Sequence, residues 1–241
     1  MEKVDYLVFG AHPDDVELGC GGTVAKLISQ GRSVAVVDLT EGELGTRGSG
    51  ELRRREASRA SEILGVSFRE NLRFPDGFFD HSAEYKLKVV QSIRKYSPEI
   101  VLANAMDDRH PDHARAAKLV SDACFLSGLR RVETLDEKGF AQKAWRPKHV
   151  FHYIQWKSVR PDFVIDISRF MELKISACKA YSSQFYDPDS KEPETPISSV
   201  GFFDSITYRA QDLGRLSGVD YAEGFTCERL IALENFEGIV L

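Results

Sequence analysis

The sequence is poor in the features that mark several large protein classes. Only four of its 241 residues are cysteines, and none of them forms a CxxC pair. This scarcity argues against both a disulfide framework and a cysteine zinc site. No apolar run approaches the ~18 residues that a membrane span requires. We expect reduced, buried cysteines at Cys20, Cys124, Cys178 and Cys227.

An excess of basic residues and a targeting signal are also lacking. The formal net charge of −5 argues against a general nucleic-acid-binding protein. The start of the chain, MEKVDYLVFGAH, has neither the apolar h-region nor the cleavage site of a secretory signal peptide. We therefore expect a cytoplasmic protein with no nucleic-acid partner and no membrane partner.

The common phosphate-binding motifs are absent. The sequence contains no GxxxxGKS/T, and Gly19, Gly21 and Gly22 do not complete GxGxxG because Val24 occupies the last position. These glycines are instead typical of a close turn and of tight helix–sheet packing. A nucleotide-binding or regulatory Rossmann module with an incidental metal is therefore the less favoured hypothesis.

Strand-length apolar runs alternate with helix-patterned segments in the first half of the chain. The predicted strands cover residues 6–10, 33–40, 70–75 and 99–104, and the predicted helices cover 22–31, 50–65, 84–96 and 111–128. This alternation is typical of an α/β fold. We predict a Rossmann-like, doubly wound and mostly parallel sheet with helices on both faces.

The pattern changes after Gly128. Predicted strands at 148–156 and 163–168, a helix at 169–185 and tail strands around 222–233 form an elaborated C-terminal half. Residues 186–199, YDPDSKEPETPISS, are polar with three prolines, which predicts a long loop that acts as a lid or an assembly contact. We expect a homo-oligomer. Its chain would be a single domain over 1–241, with the Rossmann-like part at about 1–128 and the elaboration at 129–241.

Polar residues follow the first and fourth predicted strands. AHPDD (11–15) comes after the first strand, and AMDDRHPDH (105–113) after the fourth. If the strand order is 3-2-1-4, these two strands are neighbours and the crevice between their carboxyl ends is the usual ligand position. The topology therefore brings together two segments that lie about a hundred residues apart.

These two segments carry a donor set suited to a metal. His12 and Asp15 share a tight loop, while His110 and His113 lie one turn apart at the start of a predicted helix. Two histidines and one carboxylate, with a position left for water, are typical of a catalytic zinc site. Such sets also bind iron, cobalt or manganese.

Both segments resemble the motifs of the LmbE-like, or PIG-L, family of zinc-dependent N-acetylglucosaminyl de-N-acetylases. Within it, GAHPDDVELGCGGTVAKL, DLTEGELGTRG, RRREA and DRHPDHARAA most resemble the deacetylases of bacillithiol biosynthesis. The resemblance implies a Zn²⁺-dependent hydrolase, with Fe²⁺ as another possible metal, that converts N-acetylglucosaminyl malate to glucosaminyl malate and acetate. The alternatives are a deacetylase of another N-acetylglucosamine glycoside, such as an inositol conjugate or a chitooligosaccharide, and an amidase of thiol conjugates.

The resemblance also implies catalytic roles. It implies three zinc ligands: His12, Asp15 and His113. Asp14 is implied as the general base, because it remains free beside the metal to take a proton from the attacking water. His110 is implied to polarise the acetyl carbonyl and steady the oxyanion. Asp112 is expected to orient His110 and favour its protonated form.

Substrate contacts are expected from three further residues. Arg53 matches a family position that contacts the sugar. Arg109 adjoins His110 and is expected to bind an anionic group, because its planar guanidinium suits a carboxylate. The alternative is that Arg109 pairs with Asp107 or Asp108. Gln184 lies beside the predicted loop and is expected to reach the site.

Overall fold

The apolar runs of the sequence form one seven-stranded sheet in the computed structural model, which describes residues 3–233 and 235. The strands are β1 (Tyr6–Gly10), β2 (Val34–Thr40), β3 (Phe68–Phe74), β4 (Ile100–Ala103), β5 (His149–Tyr153), β6 (Phe163–Asp166) and β7 (Ala222–Cys227). The helices are α1 (Asp15–Ser29), α2 (Gly50–Leu64), α3 (Ala83–Tyr96), α4 (Pro111–Ser127), α5 (Met171–Lys179) and α6 (Val200–Ser217). A short 3-10 turn at Ser168–Phe170 precedes α5.

The strand order is β3-β2-β1-β4-β5-β7-β6, which confirms the predicted order 3-2-1-4 of the first four strands. The first five strands of the chain, β1 to β5, all run parallel to one another. β7 runs antiparallel to both β5 and β6. The predicted mostly parallel α/β fold is therefore confirmed. The chain order reverses between β1 and β4, so a crevice opens at their carboxyl ends.

Helices cover both faces of the sheet, and β1 shows why. Side chains alternate along a strand, so Val8 packs into one hydrophobic core and Leu7 and Phe9 into the other. The core around Val8 includes residues of α1, α2, α5 and α6, and the other core includes residues of α3 and α4. A strand buried on both faces reads as a continuous apolar run, as YLVFG does.

The glycine cluster lies inside a helix, so the close turn predicted there is wrong. α1 begins at Asp15, well before the predicted start at residue 22, and it is kinked at Cys20, whose φ is −145°. The predicted tight packing is present. A Cβ on Gly19 would lie 2.1 Å from the Tyr153 ring, and one on Gly22 would lie 2.8 Å from Ile167.

We expect Gly19→Ala to lower the free energy of unfolding by about 1–3 kcal/mol, the usual cost of overpacking a core. Urea denaturation measures the change. Gly21→Ala is the matched control, because its Cβ would meet no atom closer than 3.6 Å. Since alanine is favoured over glycine within a helix, the control should keep or raise the stability. Equal stability of the two variants would contradict the packing argument.

Other boundaries differ in the C-terminal half. α5 ends at Lys179 rather than at residue 185, and within the described part of the tail only β7 forms a strand. Helix α6 was not predicted, although Phe202, Ile206 and Ala210 recur at helical spacing. Residues 186–199 form neither helix nor strand, as expected.

The cysteines are free, and three of the four are buried as predicted. Cys227 is the exception, since it is partly exposed at the end of β7. Among the described residues, no helix combines the length and the hydropathy that crossing a membrane requires.

Candidate active site and metal centre

The two polar segments leave the sheet at the same edge. β1 pairs with β4 in parallel, with Tyr6 opposite Ile100, so residues 11–15 and 105–113 follow the carboxyl ends of adjacent strands. The side chains of both segments converge there, as the predicted strand order requires.

The start of α4 directs two histidines toward His12. Pro111 occupies the first turn, and His110 is the N-cap residue. His113 follows one turn later, so its ring centroid lies 5.1 Å from that of His110. The His12 ring lies 4.7 Å from His110 and 5.6 Å from His113. All three predicted histidines therefore form one cluster.

Asp14 is held in an unusual backbone conformation beside this cluster. Its φ of 116° is rare for a residue with a side chain and costs about 1–3 kcal/mol. Arg53 donates from Nη2 to Oδ2 of Asp14 at 2.7 Å, and also to the carbonyl oxygen of Pro13. Burial raises the pKa of Asp14 to about 7, although the Arg53 guanidinium opposes the shift.

Carboxylates hold one ring nitrogen of each of two histidines. Nε2 of His12 lies 3.0 Å from Oδ1 of Asp76, and Nδ1 of His113 lies 2.7 Å from Oδ2 of Asp108. The other nitrogens face Asp15, since Nδ1 of His12 is 3.6 Å and Nε2 of His113 is 3.2 Å from its carboxylate. Metal-ligating histidines usually donate their second N–H to a carboxylate. The arrangement therefore fits a divalent ion between His12, Asp15 and His113.

Two tighter groups of potential ligand atoms share His12. Among the described residues, the ligand atoms of the three motif histidines lie within 4.8 Å of one another, as do those of His12, Asp76 and Asp112. Asp15 belongs to neither group, although it contacts two of the histidines. Imidazole and carboxylate donors suit zinc, iron and other divalent transition metals, so the donor set fits a catalytic ion without selecting one.

Two residues that the sequence analysis did not single out hold Asp15. Nδ2 of Asn104 donates to Oδ2 of Asp15 at 2.9 Å, and Nε2 of Gln155 donates to Oδ1 at 2.8 Å. Asn104 is fully buried, and its Oδ1 accepts the backbone N–H of Ala11 at 2.9 Å. Asn104 and Asp76 follow β4 and β3 at the same sheet edge as the two motifs, and that position is the signal that points to them.

Charges within the cluster shift the pKa values of its histidines. Burial opposes protonation of His12, but hydrogen bonds with three carboxylates outweigh it and raise the pKa well above its usual range. Burial also opposes protonation of His113, but Asp15 and Asp108 raise its pKa to about 9. A histidine ligand must be neutral, so a bound divalent ion would displace these protons.

The Asp112 carboxylate, which we expected to orient His110, forms no hydrogen bond or ion pair with that ring among the described residues. Because Asp112 lies in the first turn of α4, its carboxylate turns toward the loop after β3. There it accepts the backbone N–H of Gly77 at 2.8 Å and lies 3.4 Å from Nε2 of His12. The backbone N–H of Asp112 contacts His110 instead, at 3.3 Å from Nδ1. Burial, together with the neighbouring histidines, lowers the pKa of His110, so its protonated form is disfavoured.

A cavity of about 350 Å³ opens over the cluster. The predicted site residues that line it are His12, Asp14, Asp15, Arg53, Arg109, His110, His113 and Gln184. Arg109 stacks on Trp156, with 4.3 Å between the guanidinium carbon and the ring centroid. Its guanidinium forms no ion pair with any residue in 3–233 or 235, so the predicted alternative of pairing with Asp107 or Asp108 is not observed. Nε2 of Gln184 donates to the carbonyl oxygen of Arg47 at 2.8 Å.

The C-terminal half supplies a further wall of the cavity. Thr195, Pro196 and Ile197 of the long loop line it. Helix α6 contributes the residues of one face, which are Phe202, Ser205, Ile206 and Arg209. Since α6 was not predicted, its part of this wall was missing from the site expected from the sequence.

We expect Asp108→Asn to lower the affinity for the metal about 10- to 100-fold, because Asp108 orients His113. Competition with a chromophoric chelator measures that affinity. Asp107→Asn is the matched control, since the Asp107 side chain is 71% exposed and pairs with Lys157 at the surface. Equal affinity in the two variants would show that Asp108 does not orient a metal ligand.

Comparison with known proteins places this site in a family. The sequence profile of the PIG-L family, described as GlcNAc-PI de-N-acetylase, matches residues 7–124. The diacetylchitobiose deacetylase of Thermococcus kodakarensis is 32% identical over 227 residues, which cover 88% of this chain and 79% of that protein.

Two solved structures share the fold. A conserved protein of Thermus thermophilus is 36% identical with a TM-score of 0.84, and the match covers 96% of this chain and 98% of that one. The N,N'-diacetylchitobiose deacetylase of Pyrococcus horikoshii is 27% identical with a TM-score of 0.76, covering 92% of this chain and 82% of that one. The chain thus belongs to the PIG-L family and is a deacetylase, a hydrolase of amide bonds.

Proposed function

We propose that this deacetylase removes the acetyl group from N-acetylglucosaminyl malate, using a divalent metal that we infer to be Zn²⁺. The observation that carries the proposal is one cavity lined by two kinds of groups. The histidine cluster lines it together with Asp14, and so does Arg109, which forms no ion pair with any described residue. The cluster suits amide hydrolysis, and the Arg109 guanidinium suits an anionic aglycone.

The metal would be held by Nδ1 of His12, Nε2 of His113 and the Asp15 carboxylate. Asn104 and Gln155 fix that carboxylate in place. A divalent ion held there polarises a carbonyl group and lowers the pKa of water.

Asp14 is positioned to act as the general base. Oδ2 of Asp14 accepts a hydrogen bond from Arg53, whereas Oδ1 has no hydrogen-bond partner among the described residues. Oδ1 can therefore take a proton from the attacking water and later return it to the departing glucosamine nitrogen. One water is consumed, and the products are acetate and a free amine.

His110 is positioned to stabilise the oxyanion. Its Nδ1 accepts the backbone N–H of Asp112, which leaves the proton of the neutral ring on Nε2. Nε2–H can then donate to the acetyl oxygen as negative charge develops there. This function requires the neutral ring, in agreement with the lowered pKa of His110.

We expect the kcat/KM for N-acetylglucosaminyl malate to exceed that for free N-acetylglucosamine about tenfold or more, the value of a charge-assisted hydrogen bond. Binding energy from the aglycone should raise kcat as well as lower KM. An acetate-release assay over the malyl, methyl and inositol glycosides and N,N'-diacetylchitobiose tests this. Diacetylchitobiose is the second candidate, because a 32% identical relative is named for it.

Two outcomes would contradict parts of this proposal. If the wild type prefers the neutral inositol glycoside or diacetylchitobiose, the malate assignment is wrong and the deacetylase assignment survives. If Arg109→Ala loses activity equally on all substrates, Arg109 supports the fold and does not contact the aglycone.

A further inference from the structure

A second arginine reaches the cavity from helix α6. Arg209 lines the cavity and approaches the carbonyl oxygen of Trp156, with 3.5 Å between Nη2 and that oxygen. Arg109 lies over the ring of the same tryptophan. The two guanidinium groups are therefore both arranged around Trp156.

Neither of these two cations forms an ion pair with a described residue, although the Asp108 carboxylate attracts Arg209 at longer range. Three arginines line the cavity, and the third, Arg53, is already bound to Asp14. Arg209 is half-buried, and burial lowers its pKa, so part of its hydration has been lost. A partly desolvated cation that forms no ion pair favours an anionic ligand.

The carboxylates that line the cavity lie at the histidine cluster. Among the described residues they are Asp14, Asp15 and Asp76. The wall beside the two arginines includes Trp156 and Phe202, whose rings stack with 5.3 Å between their centroids, and Ile197 and Ile206 also line the cavity. Coulombic attraction is stronger beside apolar walls than in bulk water, and each planar guanidinium can bind one carboxylate through two parallel hydrogen bonds.

We propose that Arg209 and Arg109 together bind the two carboxylates of a dicarboxylic aglycone, and that Arg209 is a specificity-determining residue of the enzyme. The inference rests on the proposed function, because it places the aglycone of an amino-sugar substrate in this cavity. It adds Arg209 of α6 as a second cation beside Arg109.

The test is calorimetric binding of glucosaminyl malate and methyl glucosaminide, which carry no acetyl group, to the metal-loaded chain. We expect Arg209→Gln to lower the ratio of malyl to methyl affinity about tenfold, and Arg209→Lys to restore part of it. Arg215→Gln is the matched control on the same helix, because Arg215 is exposed and pairs with Asp212. The control should keep the wild-type ratio.

Three results would overturn the inference. They are equal affinity of the wild type for both ligands, an unchanged ratio in Arg209→Gln, and tighter binding of glucosamine 1-phosphate than of glucosaminyl malate. Acetate release from the acetylated malyl glycoside is measured separately. Malyl-selective binding that depends on Arg209, without acetate release, would refute the proposed function and leave this inference standing. Acetate release without malyl selectivity would refute the inference and keep the deacetylase assignment.

Discussion

Replacing His113 by alanine is expected to remove the divalent metal and to abolish turnover together. Nε2 of His113 faces the Asp15 carboxylate, and Asp108 holds the opposite side of the ring. Without this imidazole, two of the three proposed ligands remain, too few to hold a catalytic ion tightly. Metal content by mass spectrometry and acetate release, measured on the same folded sample, check both parts.

The matched control for this variant is His149→Ala. His149 is a partly exposed histidine of β5 that does not line the cavity. We expect this variant to keep the wild-type metal content and turnover. Full metal occupancy in His113→Ala would show that the ligand assignment is wrong.

Asp14→Asn is expected to keep the metal and to lower kcat by about 10² or more, the usual scale for the loss of a general base. The asparagine amide oxygen can still accept the hydrogen bond from Arg53, so the local fold should persist. The amide cannot take a proton from water. Steady-state kinetics with N-acetylglucosaminyl malate measures kcat, and Asp107→Asn serves as the control for the loss of one carboxylate. Turnover near the wild-type rate would show that the attacking water needs no such base.

The part of the site that the sequence predicts is the part that depends on topology. Alternating strands and helices predict a parallel sheet, and the strand order 3-2-1-4 places the carboxyl ends of β1 and β4 side by side. His12 and His113 therefore meet although about a hundred residues separate them. The spacing of His110 and His113 on one helix adds the third ring.

The remaining residues could not be predicted because their positions depend on packing across the fold. Asn104 reads as the last residue of a strand, and its role appears only when Asp15 and Gln155 are seen on either side. The position of Asp76 depends on the path of the loop after β3, which the sequence does not give. The Asp112 carboxylate was assigned to His110, two residues before it, whereas the helix start turns it toward His12.

The wall of the cavity that α6 forms could not be predicted from the sequence either. Two glycines and several β-branched or aromatic residues weaken the helical pattern of α6, and packing against β7 stabilises it instead. Arg209 lies on this helix, so the second cation of the cavity could not be placed from the sequence.

The most direct test of the central claim is acetate release from N-acetylglucosaminyl malate while zinc is titrated into chelator-treated wild-type protein. We expect the rate to rise in proportion to bound metal and to level off at one ion per chain. Acetate release that does not depend on metal content would contradict the claim. So would a protein that holds one ion per chain and releases acetate from no acetylated amino sugar.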